Sequence, residues 1–220
     1  VSALPFAQCG LPHAHYRLPQ TRVELLARPS EGGRPPPLCP SQGTGFITPP
    51  FRIFFVIKRI MLKYVNHDIV FSEFPDEVTL AVNLSLCPNG CPGCHSSYLQ
   101  GDVGDELTET RLLALVDGYL GAVTCVGLMG GDNDPVAVRH LCRRLKQLYG
   151  PALRTGWYSG RSRLPAGFSG AALSEAFDYV KLGPYRRQLG PLSSSGTNQR
   201  LYRVQPDGSM EDITARFWRH

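Results

Sequence analysis

Three of the seven cysteines fall within eight residues, as Cys87-Pro-Asn-Gly-Cys91-Pro-Gly-Cys94. This C-x3-C-x2-C spacing lets three thiolates converge if the loop folds around one centre. Gly90 and Gly93 open backbone angles closed to other residues, and Pro88 and Pro92 stiffen the path. Three chemistries compete. A structural zinc site of the Cys3His type recruits His95, although zinc sites more often use a two-residue gap within each pair. A redox thiol site needs only two cysteines. An iron–sulfur cluster with three protein ligands leaves one iron open to a substrate, and backbone amides can donate to its sulfurs. The spacing favours the cluster over the other two. Cys125 lies in an expected strand and Cys142 on an apolar helical stripe, so both read as small buried hydrophobes. Cys9 and Cys39 belong to the N-terminal segment. No secretion signal is apparent, so no disulfide framework is expected.

The elements that must position this loop follow from periodicity. Residues 64–71 and 78–85 are β-rich and separated by a Pro-Asp-Glu turn at 75–77, and the second run leads straight into the cysteines. Residues 108–120 predict a helix with Thr108 as N-cap and Leu112, Leu115, Val116 and Tyr119 on one face. Residues 122–129 predict a buried strand. Residues 135–149 predict a second helix, with a first-turn proline and a stripe of Val138, Leu141, Cys142, Leu145 and Leu148. Residues 153–158 and 177–182 predict two more strands. Strands alternating with helices imply an α/β fold with parallel strands, whose ligands sit at the carboxyl ends of the strands. Three marked loops occupy that position, at 87–95, 130–134 and 159–163, which points to one composite site. There is no internal repeat.

The chain has 220 residues, 42% hydrophobic and 19% charged, which suits one domain with a core of its own plus an appendage. No run approaches the roughly 18 consecutive apolar residues of a membrane span. The formal net charge of +5 is unevenly placed. Residues 1–60 hold 7 Lys and Arg against 2 Asp and Glu, whereas residues 61–220 hold 16 of each sign. The body therefore has no bulk electrostatic reason to seek nucleic acid or a membrane. Residues 1–60 also carry 10 of the 19 prolines and keep no helical or strand period, so disorder or weak structure is expected there. The change of composition at Met61 makes it a candidate start of translation, with residues 1–60 read in frame upstream. The expected organisation is an extension at 1–60 and one domain at 61–220.

The cysteine triplet after a strand resembles the radical S-adenosylmethionine superfamily. The resemblance continues in Met129-Gly-Gly-Asp132, which looks like the superfamily's Gly-Gly-Glu/Asp motif. Trp157-Tyr-Ser-Gly160, Lys181-Leu-Gly-Pro-Tyr185 and Thr197-Asn-Gln-Arg200 follow. In this order the set resembles the anaerobic ribonucleoside-triphosphate reductase activating proteins, over about residues 61–204. Two departures stand out. Gly93 occupies the position before the third cysteine where many members carry an aromatic that packs on adenine, which leaves His95 or Tyr98 for that role. Leu182-Gly-Pro-Tyr185 replaces the Asp-Gly-Lys-aromatic segment common in the group, so no role passes to Lys181.

The resemblance implies a compact, partly open α/β barrel of the radical type. It implies that Cys87, Cys91 and Cys94 hold a 4Fe-4S cluster whose fourth iron chelates S-adenosylmethionine. Reductive cleavage then yields methionine and a 5′-deoxyadenosyl radical, which takes a hydrogen from a glycine Cα of anaerobic ribonucleoside-triphosphate reductase. Gly130, Gly131 and Asp132 would meet the methionine amino group, and His95, Tyr158 and Ser159 would make further cofactor contacts. Trp157 and Tyr158 either wall the adenosine or belong to the core, and Ser159-Gly160 either bonds the ligand or makes a turn. Asn198, Gln199 and Arg200 dock the partner, close the site or form a solvated loop. His67 and His140 read as structural, and Arg143-Arg144 and Arg186-Arg187 as solvated faces. A low-potential donor such as flavodoxin and a reducing, cytoplasmic setting complete the expectation, with no nucleic-acid or membrane partner. Two alternatives remain: activation of another glycyl-radical enzyme such as pyruvate formate-lyase, or a non-catalytic Cys3His zinc module.

Overall fold

The computed structural model describes residues 61–218. The expectations for residues 1–60, including Cys9 and Cys39 and their lying upstream of a start at Met61, fall on residues outside those described. Eleven elements matter here: β1 (Lys63–Val70), β2 (Thr79–Leu84), β3 (Asp105–Glu106), α1 (Glu109–Asp117), β4 (Cys125–Met129), α2 (Pro135–Tyr149), β5 (Arg154–Tyr158), α3 (Ala171–Ser174), β6 (Tyr179–Leu182), β7 (Arg200–Val204) and β8 (Met210–Asp212). The fold is mixed α/β. One eight-stranded sheet runs in the order β3-β1-β2-β4-β5-β6-β7-β8.

The parallel expectation holds for the middle of the sheet, where β2, β4, β5 and β6 pair in parallel. The flanks are antiparallel: β3 and β1 on one side, β7 and β8 on the other. Sequence reading misses β3, β7, β8 and α3. Two strand residues, three exposed ones and one helical turn carry too little apolar period to be seen.

The helices form where their ends are satisfied. Thr108 caps α1 by accepting from the Arg111 amide at 3.1 Å, and Asp134 caps α2 by accepting from the Ala137 amide at 3.0 Å. Helix α1 stops three residues short of the expected 120, because the Tyr119 carbonyl turns to accept from Ala122 and Val123. Strand alternation then sorts the core into two faces. On the helix side, Leu80, Val82, Leu84, Val126, Leu128, Trp157 and Val180 pack with Leu112, Val116, Val138, Leu141, Cys142 and Leu145. On the other face Phe74 packs with Cys125, Tyr179, Leu201 and Ile213. Phe74 stacks on Tyr179 at 5.2 Å between centroids and meets Tyr158 edge-on at 5.3 Å. Its ring sits where side chains at Gly127 and Gly156 would otherwise be, so two bare strand positions make room for one aromatic plug. Among the described residues, no helix is long and apolar enough to cross a membrane.

Candidate metal and ligand site

Strand β2 delivers the cysteines to the carboxyl edge of the parallel block. The loop beyond it is closed by its own backbone: the Leu86 amide donates to Gly101 at 3.2 Å, Cys87 to Leu99 at 3.0 Å and Cys94 to Cys91 at 3.2 Å. Gly93 has φ +73°, in the left-handed region that favours glycine, and the stem of Arg187 lies 3.5 Å from where its Cβ would be. The aromatic that many superfamily members carry at this position would be strained here by that backbone conformation. Cys87, Cys91 and Cys94 are half-buried and free. Among the described residues, no three His, Cys, Asp or Glu side chains close around a common point. The donor set nevertheless fits a thiolate-held metal, being three soft sulfurs in one short loop, unpaired and partly open to solvent.

Asp132 is the hub of the site. It is buried, at 1% exposure. Its carboxylate accepts from Ser159 Oγ at 2.6 Å, from the Gly160 amide at 2.7 Å and from Asn89 Nδ2 at 2.5 Å, with Arg161 Nε 3.7 Å away. The same Asn89 Nδ2 stands 3.5 Å from Cys87 Sγ. The cysteine loop, the Gly-Gly-Asp loop and the turn after β5 are thus joined through one carboxylate. A carboxylate has about four lone-pair sites, and the chain's own donors fill three of them. Gly131, at φ +83°, packs so closely that a Cβ would lie 2.5 Å from Val138 Cγ2 and 2.9 Å from Leu84 Cδ1.

Several alternatives now separate. Trp157 is core: it is fully buried, stacks on Phe177 at 5.6 Å, and donates from Nε1 to the Gly130 carbonyl at 2.7 Å. Tyr158 lies on the helix-free face, and its hydroxyl donates to the Glu73 carbonyl at 2.5 Å. Burial, then the Glu73 charge, raise its pKa well above that of an ordinary phenol. Ser159 is buried, donating to Asp132 and accepting from the Arg161 amide at 3.1 Å. The His95 ring packs on Tyr185, 5.2 Å between centroids, and Tyr98 is half exposed. Thr197 and Gln199 are buried, and Asn198 Nδ2 donates to the Pro184 carbonyl at 2.9 Å. The 197–200 segment therefore braces residues 183–184 and is not a fully solvated loop. His67 contacts Tyr119, and His140 contacts Glu109, in keeping with structural roles. Arg143 and Arg144 pair with Glu175 and Glu109 on the protein surface.

Sequence reading misses two residues. Asn89 reads as loop filler, although a lone amide in a Pro-Gly-Cys run is itself a signal. Lys181 stands in one of the quoted motifs but receives no role there, because its burial depends on the neighbouring strands. It is buried, donates from Nζ to the Gly183 carbonyl at 2.8 Å, and lies 5.8 Å from the centre of the Tyr158 ring. Desolvation lowers its pKa to about 8, opposed by attraction from Cys91, Asp132, Glu73 and Cys94. Two openings flank the site. One, of about 250 Å3, is lined by Asp68, Glu73, Asn83, Ser96, Met129 and Tyr158 on the helix-free face. The other, of about 370 Å3, lies between Pro92-Gly93 and residues 185–188. A wider cavity of about 450 Å3 opens at the opposite edge of the sheet, beside the ion pair of Lys146 and Asp178. Fold logic puts ligands at the carboxyl ends of parallel strands, so the smaller openings are the relevant ones.

Comparison of the chain with protein families, with curated proteins and with solved structures found no match.

Proposed function

We propose that the chain is a radical S-adenosylmethionine activating enzyme that installs a glycyl radical on anaerobic ribonucleoside-triphosphate reductase. In this reading the sheet is a partly open barrel whose helix-free face, plugged by Phe74, is the inner one. The observation that carries the proposal is the junction at Asp132. Three motifs separated in sequence, the cysteine triplet, Gly-Gly-Asp and Ser-Gly, are hydrogen-bonded into one unit at the carboxyl edge of parallel strands.

Cys87, Cys91 and Cys94 would hold the cluster. A cluster bound there and reduced by a donor such as flavodoxin would supply one electron for reductive cleavage of S-adenosylmethionine to methionine and a 5′-deoxyadenosyl radical able to take the glycine hydrogen. The chain's own residues bind, orient and exclude water. Gly130 and Gly131 let this loop pack directly on Leu84 and Val138, which fixes its backbone beside the cysteine loop. The Trp157 indole holds the Gly130 carbonyl in place. Asp132 acts on the ligand by fixing the loops around it. The buried Lys181 holds its amine on the Gly183 carbonyl, where Cys91, Asp132 and Cys94 attract its charge. The oxygen lability of such a cluster calls for a reducing compartment, in line with a cytoplasmic setting.

The test uses the full chain, purified without oxygen and reconstituted with iron and sulfide. About four irons per chain, and an electron paramagnetic resonance spectrum that changes on adding S-adenosylmethionine, are expected. A glycyl-radical doublet should then appear on the reductase. A doublet on pyruvate formate-lyase alone would move the assignment to that class of partner. Stoichiometric zinc, with no cluster signal and no response to S-adenosylmethionine, would overturn the proposal.

A further inference from the structure

We infer that Asn89 is a positioning residue that couples the cysteine loop to the Ser159–Gly160 turn through Asp132, so that the two loops open and close together. One amide nitrogen does this. Its two hydrogens have two acceptors in reach, Asp132 Oδ2 at 2.5 Å and Cys87 Sγ at 3.5 Å. The amide orientation is dictated by its neighbours: turned over, its oxygen would face a carboxylate oxygen with no hydrogen between them. Gly160 supplies the seat, since any Cβ there would collide with the Asn89 amide. The turn is bound in its own right, with the Gly160 amide on Asp132 Oδ2 and the Arg161 amide on Ser159 Oγ. Asn89 and Gly160 therefore share one carboxylate oxygen from opposite loops.

The consequence is specific. A change confined to the cysteine loop should be felt about 70 residues away, at the Gly160 amide on which Asn89 rests and at the next amide, Arg161, which Ser159 Oγ holds. This inference uses the proposed function only to say what the coupling is for, because the contacts belong to the metal-free chain.

The experiment is amide hydrogen exchange on the full chain, metal-free and reduced, with Asn89→Ala, Asn89→Asp, Asp132→Asn and the swapped double variant Asn89→Asp/Asp132→Asn. In Asn89→Ala, Gly160 and Arg161 should exchange about tenfold faster, the scale of one lost hydrogen bond to a charged group. Exchange in β4 and β5 should stay unchanged. Asn89→Asp should loosen the turn further, because two carboxylates then face each other. The swapped double variant should recover part of the protection lost in Asn89→Asp, because a donor again faces an acceptor. After reconstitution, Asn89→Ala should bind as much iron as wild type but show a several-fold smaller reduced fraction at a fixed poise, since a donor to Cys87 sulfur is gone. Faster exchange confined to residues 87–94, with Gly160 unaltered in both single Asn89 variants, would overturn the coupling. That result would leave the iron content and the response to S-adenosylmethionine untouched. Conversely, a chain that binds no iron still reports the coupling by exchange.

Discussion

Lys181 offers a prediction whose sign runs against intuition. An ammonium buried beside the cysteine loop looks like a stabilising contact, yet its pKa is lowered to about 8 from 10.5, chiefly by desolvation. At 1.36 kcal/mol per unit, the folded chain carries a penalty of about 3 kcal/mol for holding that charge at neutral pH. Lys181→Met removes the penalty and forfeits the bond to the Gly183 carbonyl, which contributes about 1 kcal/mol. The metal-free variant should therefore be about 2 kcal/mol more stable than wild type at pH 7. Below pH 8 the amine is protonated in both folded and unfolded chains, so the penalty is constant. Between pH 8 and 10.5 the unfolded chain binds more protons. Wild-type stability contributed by this group rises with pH through that window, and the advantage of the variant shrinks. Near pH 10.5 the difference should fall to zero or reverse, as only the lost hydrogen bond remains. Urea unfolding of both proteins at pH 7 and 10.5, reduced and without iron, measures it. A destabilised variant at pH 7, or an advantage equal at both pH values, would refute the reasoning.

Two other outcomes follow from the packing and the donor set. Gly156→Ala drives a methyl group into the Phe74 ring, and should cost about 1–3 kcal/mol in urea unfolding, the range for overpacked cores. Phe74→Leu in the same chain should recover part of that loss, which separates collision from strand propensity. Alanine at Cys87, Cys91 or Cys94 should abolish iron uptake on reconstitution, whereas alanine at Cys125 or Cys142 should leave it near wild type. Both of those thiols are buried, and desolvation pushes their pKa up, so they are poor thiolate donors.

Much of the parallel block is legible in the amino-acid sequence, because each element there carries its own signal. Helix α2 matches its expected bounds, since Pro135, the apolar stripe and the helix-ending glycine agree. Strands β4, β5 and β6 each begin one to three residues later than their apolar runs suggest. Strands β7 and β8 escape sequence reading even though Asp207-Gly208 between them is a hairpin signal. Strand β8 is exposed throughout, so no hydrophobic alternation supports the turn. At the site, the grouping of three loops at one edge is legible from strand order. The identity of the joint is not. Asp132 reads as a ligand residue by type, and only its three donors reveal that it is internally bonded. Trp157 is ambiguous by type for the same reason, since strand alternation decides its face and only the packed helices make that face the core.

The two ends of the sheet carry a consequence for solution behaviour. Among the described residues, the eight-stranded sheet ends in two borders, and unpaired backbone at a sheet border invites another chain to add a strand. Strand β3 is only Asp105 and Glu106, and β8 is only Met210, Glu211 and Asp212. The β8 border is thus short and doubly acidic, whereas β3 covers only Lys63 and Tyr64 of the eight-residue β1. Two copies approaching β8 to β8 would set carboxylates against carboxylates over three residues, too few to repay the repulsion. Lengthening β8, or replacing its acids with Thr or Val, should make that end recruit its own kind, and fibril-specific dye fluorescence would report it.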